Sequence, residues 1–275
     1  MDRNEKIEKY KNFSKNIRRL IIKATYLTER KGVHIGSALS VADFFAVLYG
    51  GELKVDSHNP IDICRDRFIL SKGHAYLALY ASLCLSGFIT EKELFDNFMT
   101  DGGDFPAHPV KNVGKGIECS SGSLGMGLSF AIGKALNAKK KGLDYQTYVV
   151  LGDGECNEGS VWEAFMAAVQ FKLNNLVVFI DHNNLQHDGS TSDIMNIHFF
   201  NVLEAIGWNV ISINGNDIVE IVHALEMRNK KSAFPCAIVG NTLKGKGVSF
   251  MEGDNNWHHA HLTREQYEVA LDDLK

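Results

Sequence analysis

Short apolar runs alternate with longer helical segments along this chain. Five of the runs are rich in β-branched or aromatic residues, as is typical of strands buried on both faces of a parallel sheet. These predicted strands are Arg67–Ser71, Thr147–Leu151, Leu176–Asp181, Asn209–Ile213 and Cys236–Gly240.

The segments between the strands have helical spacing. One helix face is defined by apolar residues that repeat at i, i+1 and i+4, namely Val161, Trp162, Phe165, Met166 and Val169. Other predicted helices are Ser14–Arg30, Leu124–Lys140, Asp217–Arg228 and Thr263–Leu274. Alternation of strands and helices predicts an α/β fold with a doubly wound, mainly parallel sheet flanked by helices. Since no repeat, low-complexity segment or linker interrupts the pattern, we expect residues 1–275 to form a single domain.

Composition narrows the class of protein. The 275 residues are 45% hydrophobic and 23% charged, and the formal net charge of −4 gives no reason to expect nucleic acid or an anionic membrane as a partner. The five scattered cysteines form no Cys-x-x-Cys pair, which favours reduced thiols in a cytoplasmic protein. The N-terminus is too polar for a signal peptide, and no apolar run approaches the roughly 20 residues that span a bilayer.

Candidate chemistry lies where the second predicted strand ends. Leu151 is followed by Gly152, Asp153 and Gly154, and a helix begins a few residues later. Glycines allow a tight turn and close approach to a ligand, and the start of the helix offers free N–H groups to an anion. A carboxylate beside a phosphate favours a bridging hard cation such as Mg²⁺, which prefers oxygen ligands.

The third predicted strand ends in a second set of oxygen ligands. Asn183 follows it closely and lies 30 residues after Asp153, about one β-α-β unit, so the two strand ends are expected to be neighbours. The Asn183 side-chain oxygen and a backbone carbonyl near Leu185 would then complete the metal shell. Each segment alone is a common turn, but the pair at this spacing predicts a metal–diphosphate site.

With these residues in place, the chain resembles thiamine diphosphate enzymes and, within them, the transketolase family. Gly152–Gly159 followed by Asp181–Leu185 is similar to the family's diphosphate motif. Further motifs in the family's order are Val33–Ser37, Ser71–Ala75, Ala107–Pro109, Ser121–Gly127 and Thr242–Phe250.

The resemblance implies thiamine diphosphate with Mg²⁺, or another divalent cation such as Ca²⁺ or Mn²⁺, as cofactors. It implies side-chain metal ligands at Asp153 and Asn183, and a backbone carbonyl ligand at Leu185. It also implies a set of residues in contact with the cofactor, namely His74, Gly122, Ser123, Leu124, Gly152, Asp153, Gly154, Glu155, Asn183 and His258.

Histidines suit ketol transfer because they hold sugar hydroxyls and move protons near neutral pH. The resemblance implies that His74 and His258 lie near the diphosphate and that His34 and His108 contact the donor ketose. Four other histidines are interpreted as ordinary surface or core residues: His58, His198, His223 and His261.

Glu158 has two interpretations. It is either a helix-start residue that interacts with the helix dipole or, as the resemblance implies, a member of a carboxylate network across a subunit interface. We favour the second. Lys244 and Lys246 are likewise either solvated charges or residues at the cofactor entrance.

The resemblance covers the diphosphate-binding part of the family. It implies that the pyrimidine-binding and C-terminal domains, with the glutamate that activates the cofactor, belong to a partner subunit in an α2β2 heterotetramer. The expected reaction is transfer of a two-carbon ketol unit from a ketose or its phosphate to an aldose or its phosphate. The chain then acts as the N-terminal subunit of a split transketolase.

Two positions depart from the family's pattern. Ile35 stands where full-length transketolases have proline, a variant associated with split members. His259 stands where the family has glycine, so its side chain either narrows the pocket or points outward. The choice between His258 and His259, and the substrate, therefore stay open.

Three rival functions share some of these features. The α subunit of a 2-oxo-acid dehydrogenase has a similar Gly-Asp-Gly motif but lacks the motifs at Ser71–His74 and Lys244–Phe250. A split deoxyxylulose phosphate synthase fits Glu158-Gly159 and Trp162-Glu163 less well. A catalytically silent cofactor-binding partner is disfavoured by the intact ligand and histidine set.

Overall fold

The computed structural model describes residues 2–28, 31–228 and 232–275. Its main feature is a parallel sheet of five strands in the order β1-β2-β3-β7-β6. The strands are β1 (Arg67–Leu70), β2 (Thr147–Gly152), β3 (Leu176–His182), β6 (Asn209–Asn214) and β7 (Cys236–Asn241). A small antiparallel hairpin, β4 (Leu185–Gln186) and β5 (Gly189–Ser190), follows β3. All five predicted strands are confirmed.

The helices surround this sheet. In chain order they are α1 (Arg3–Leu27), α2 (Ile35–Ser40), α3 (Ala42–Val47), α4 (Tyr76–Leu85), α5 (Glu91–Asn97), α6 (Gly127–Lys141), α7 (Gly159–Gln170), α8 (Thr191–Ile194), α9 (Phe199–Ile206), α10 (Ile218–Met227) and α11 (Arg264–Asp273).

Two predicted helices differ from the structure at their ends. Helix α1 begins at Arg3 because Asp2 and Glu5 form a capping box there, and the predicted end at Arg30 lies outside the described residues. Helix α6 begins at Gly127 and not at Leu124. The cause is Gly125, whose φ of 81° is incompatible with a right-handed helix.

Two apolar layers cover the two faces of the sheet. Alternate strand residues point to opposite faces, so Phe179 packs toward α3, where it stacks on Phe44 with ring centroids 4.0 Å apart. Its neighbour Ile180 lies in the other layer with Phe165 of α7. Helices α1–α4, α10 and α11 contribute to the first layer, and α6, α7 and α9 contribute to the second. The predicted doubly wound α/β fold is confirmed.

The strand register brings the candidate chemistry to one edge. Gly152 of β2 pairs with Asp181 of β3, and Asp181 pairs with Gly240 of β7. Because parallel strands end at the same edge, the segments after β1, β2, β3 and β7 converge there. In the parts of the chain that the structure describes, no helix is both long and apolar enough to cross a membrane.

Candidate active site

A cavity of about 320 Å³ opens at the carboxyl edge of the sheet. It brings together most of the residues that the sequence singled out. Those that line it are His34, His74, His108, Gly122, Leu124, Gly152, Asp153, Gly154, Glu155, Asn183, Leu185 and His258. Ser123 and Glu158 are not among its lining residues, and both are exposed.

The Asp153 carboxylate is held by the loops around it. One oxygen accepts a hydrogen bond from the Gly154 N–H at 2.9 Å, and the other accepts one from the Asn184 N–H at 2.7 Å. The side chain is buried. Burial, together with the nearby charge of Asp181, raises the pKa of Asp153 to about 6. A carboxylate in this state favours a cation that would offset its charge.

The Asp181 carboxylate lies directly behind the cavity and has no exposed surface. It forms a buried ion pair with Lys72 and accepts a hydrogen bond from the Ser40 hydroxyl at 2.7 Å. The Thr242 hydroxyl donates to its other oxygen. Asp181 therefore connects α2 with the segments after β1 and β7.

Asp181 also sets the orientation of the Asn183 amide. The Asn183 Nδ2 donates to Asp181 at 3.0 Å, so the opposite end of the amide is Oδ1. That oxygen accepts the Leu185 N–H at 3.0 Å. Since an amide oxygen has two lone pairs, one remains for a cation beside Asp153.

The two glycines of the turn have different surroundings. A Cβ added at Gly154 would lie 2.8 Å from the Gln186 Cβ, so the neighbouring hairpin itself requires a glycine. At Gly152 the nearest protein atoms would be 3.9 Å from an added Cβ. The protein packing does not demand a glycine there, whereas close approach of a ligand would. The site thus fits a diphosphate held by backbone groups.

Four predicted histidines form one cluster in this cavity. The His34 ring centroid lies 5.6 Å from that of His74, 5.7 Å from that of His108 and 5.4 Å from that of His258. Burial lowers the pKa of all four, to about 4 for His34 and about 3 for His258. At neutral pH the four rings are therefore uncharged, and each has one nitrogen that donates and one that accepts.

Lys244 defines the tautomer of His258. Its buried Nζ lies 2.9 Å from His258 Nδ1 and donates to Asn255 Oδ1 at 2.7 Å. Burial and the charge of Lys72 lower the pKa of Lys244 to about 8, so the amine is still mostly protonated at pH 7. Because the ammonium group can only donate, Nδ1 of His258 accepts and Nε2 carries the proton.

The structure resolves the two interpretations of the lysines. Lys244 lines the cavity. Lys246 is partly exposed and forms an ion pair with Glu252 at 3.0 Å. Of the four histidines interpreted as ordinary, none is among the cavity's lining residues.

The two glutamates of the motif have different environments. Glu155 is buried and uses its carboxylate internally, where it accepts from the Ser71 hydroxyl and from the N–H groups of Gly125 at 3.0 Å and Gly152 at 3.1 Å. Burial raises its pKa. Glu158 stands at the exposed start of α7, and its side chain makes no capping hydrogen bond to that helix.

Sequence reasoning missed four residues of the cavity wall: Ser37, Lys72, Gln186 and His187. Lys72 had a usable signal, because it directly follows a strand that ends at the same edge as β2. His187 lies in the β4–β5 hairpin, with its ring centroid 5.3 Å from that of His258. The short hairpin carries no strong sequence pattern, so its fold back over the cavity was not predictable.

His259 also lies near the cluster. Its ring centroid is 4.7 Å from that of His34, with the rings at 73° to each other. His259 is exposed, whereas His258 lines the cavity. The side chain at 259 thus lies on the solvent side of the His34 ring.

Comparison with known proteins gives consistent matches. Residues 10–273 match the family described as transketolase, thiamine diphosphate binding domain. One of the two subunits of an apulose-4-phosphate transketolase from Phocaeicola vulgatus is 41% identical over 262 residues, which are 94% of this chain and 91% of that protein. The 6-deoxy-6-sulfo-D-fructose transketolase subunit SqwG of a Clostridium species is 40% identical over 243 residues, 88% of each chain.

The fold has the same relatives. Transketolase from Leishmania mexicana superposes with a TM-score of 0.90 at 30% identity, and the match covers 96% of this chain and 41% of that one. This chain therefore spans about two fifths of the length of that solved transketolase, whereas it spans nearly all of the two matched subunits.

We predict that Asp181→Ala destabilises the protein by about 3–5 kcal/mol, because it leaves the Lys72 charge buried without its partner. Urea unfolding followed by circular dichroism measures this change. Asp96→Ala is the matched control, since it removes one half of the exposed Lys92–Asp96 pair and should leave the midpoint unchanged. Equal midpoints for the two variants would contradict the account of the buried pair.

Proposed function

This chain belongs to the transketolase family and is the thiamine diphosphate-binding subunit of a two-subunit transketolase, and we propose that its sheet-edge cavity holds the cofactor's metal–diphosphate end. One observation carries the proposal: Asp153, Asn183 and a cluster of uncharged histidines face the same cavity. The predicted family, fold and enzyme class are confirmed by the matches above. We further propose that residues 1–275 act as one domain.

The metal ligands in this proposal are the Asp153 carboxylate, Asn183 Oδ1 and the Leu185 backbone carbonyl. All three residues line the cavity, and all offer the oxygen ligands that Mg²⁺ prefers. Ca²⁺ and Mn²⁺ accept the same ligand type. The raised pKa of Asp153 supports this assignment, because a divalent cation would relieve the repulsion between Asp153 and Asp181.

The diphosphate is proposed to lie against the backbone of Gly152 and Gly154. Lys72 and Lys244 supply positive charge in the same cavity wall, and the Nε2–H of His258 supplies a donor. Gly122, Leu124 and His74 line the remainder. Glu155 positions the loops through its hydrogen bonds to Gly125 and Gly152, while Ser123 is exposed.

When bound, thiamine diphosphate supplies a carbon nucleophile and an electron sink. The chain's own residues are proposed to bind and orient the sugar. His34 and His108 hold the hydroxyl groups of the donor ketose, and His74 and His258 hold the cofactor's diphosphate end. Because their low pKa values keep these rings neutral, each can accept a proton at one nitrogen while it donates at the other.

The partner subunit is proposed to supply the activating glutamate and to form an α2β2 heterotetramer with this chain. The exposed Glu158 at the start of α7 is proposed to join a carboxylate network at that interface, beside the exposed Met126. Since all five cysteines are free, the cytoplasm is the proposed compartment.

The proposed substrates are a ketose, or its phosphate, as donor and an aldose, or its phosphate, as acceptor. Two relatives at 40–41% identity are named for apulose 4-phosphate and 6-deoxy-6-sulfo-D-fructose, which supports a specialised ketose as donor. Xylulose 5-phosphate of pentose-phosphate metabolism is the general alternative. A panel of these three donors separates the two.

We predict that Asp153→Ala abolishes magnesium-dependent binding of thiamine diphosphate by the assembled complex, because it removes a charged ligand. The loss should exceed the roughly 10–100-fold that removal of an outer-shell partner costs. Isothermal titration calorimetry with and without Mg²⁺ measures it. Asp193→Ala, at an exposed aspartate of α8, is the control and should bind as the wild type does. Unchanged affinity in Asp153→Ala would refute the metal assignment.

We predict that ketol transfer requires the partner subunit. The isolated chain should show no turnover with a ketose phosphate, an aldose phosphate, thiamine diphosphate and Mg²⁺, and the reconstituted complex should show it. A complex that contains Asp153→Ala provides the inactive control. Robust turnover by the partner-free chain would contradict this account, and cofactor binding without turnover in the complex would favour a silent subunit.

A further inference from the structure

The backbone holds His259 directly beside His34. Val33 and Ala260 exchange two hydrogen bonds, at 2.9 Å and 3.0 Å, in an isolated antiparallel bridge. In such a bridge the next residues, His34 and His259, are opposite each other, and a pair of this kind brings side chains close together on one face. The contact between the two rings therefore follows from the backbone and does not depend on a flexible side chain.

Gly32 provides the space for the His259 ring. A Cβ added at Gly32 would lie 2.4 Å from Cε1 and 2.6 Å from Nδ1 of His259. The glycine does not adopt a left-handed conformation, so its absent side chain is what matters. The ring is thus enclosed by Gly32 on one side and His34 on the other.

Both histidines have polar atoms available for a ligand. His34 Nδ1 is buried and has no hydrogen-bond partner among residues 2–28, 31–228 and 232–275. The His259 side chain likewise makes no hydrogen bond within those ranges. A buried ring nitrogen without a partner is costly unless a ligand or water satisfies it. The pair therefore offers donors and acceptors both inside the cavity and at its mouth.

We propose that His259 is a specificity-determining residue at the mouth of the cavity, where it binds the outer hydroxyl or phosphate end of a sugar whose reacting end lies beside His34. The inference rests on the proposed function. A short aldehyde reacts inside the cavity without reaching the exposed ring, whereas a longer sugar passes His34 and meets it. His259 thereby favours long acceptors over short ones.

The test uses the reconstituted two-subunit complex with one donor ketose and two acceptors, glycolaldehyde and ribose 5-phosphate. For His259→Gly we expect kcat/KM for the five-carbon acceptor to fall about fivefold through KM, as loss of one neutral hydrogen bond implies. The value for the two-carbon acceptor should change less than twofold. His261→Gly is the matched control, because His261 is an exposed histidine of the same segment outside the cavity wall.

A second variant tests the geometry independently. Gly32→Ala must displace the His259 ring, so it should change the ratio of the two kcat/KM values in the wild-type background. In the His259→Gly background the same substitution should have no further effect, since no ring remains to be displaced. Unchanged affinity for thiamine diphosphate in all variants separates selectivity from loss of the site.

The outcomes are distinct. If the wild-type complex is active and His259→Gly has the same acceptor ratio as His261→Gly, the role of His259 is overturned while the proposed function stands. Additive effects of Gly32→Ala and His259→Gly on the ratio overturn it equally. A wild-type complex that binds its cofactor and transfers no ketol group overturns the proposed function itself, and the inference with it.

Discussion

The carboxylate of Asp181 lies fully buried against the ammonium group of Lys72, and the remaining interactions of the site are arranged around this pair. Hydroxyl groups of Ser40 and Thr242 donate to the carboxylate, so it connects a helix and two loops from different parts of the chain. A buried charge of this kind is tolerated only with good partners, which makes the geometry of its neighbours strict. The orientation of the Asn183 amide follows directly.

The same pair explains the electrostatics of the cavity. Asp181 and burial together raise the pKa of Asp153, while Lys72 and Lys244 add positive charge to the wall. Burial keeps the histidines neutral, so they do not add to that charge. A divalent cation with a diphosphate satisfies both sets of charges, since the metal faces the carboxylate and the anion faces the lysines and backbone.

Much of the fold was predictable from sequence because its strands are apolar on both faces and its site motifs follow strand ends. The neighbouring positions of Asp153 and Asn183 could be inferred from spacing alone. Helices α2, α3 and α4 were not predicted, because they are largely buried and carry no polar face to mark a helical period. The start of α6 was placed too early because the left-handed turn at Gly125 depends on tertiary contacts.

Some features of the site depend on contacts that no local pattern encodes. The β4–β5 hairpin brings His187 over the cavity, and the Val33–Ala260 bridge brings His259 to His34 across more than two hundred residues of sequence. The internal role of Glu155 was also not visible in its motif, since its partners Ser71 and Gly125 come from other segments. Residue type and spacing identify the chemistry, whereas long-range packing decides which side chains reach it.

The central claim is that Asp153, Asn183 and Leu185 hold one divalent cation at the edge of the sheet. Anomalous diffraction from crystals of the two-subunit complex, grown with thiamine diphosphate and Mn²⁺, tests it most directly. The account predicts a single strong anomalous peak within about 2.2 Å of an Asp153 carboxylate oxygen, Asn183 Oδ1 and the Leu185 carbonyl oxygen. A fully occupied cofactor with no peak at these three oxygens, or with the metal bound elsewhere, would contradict it.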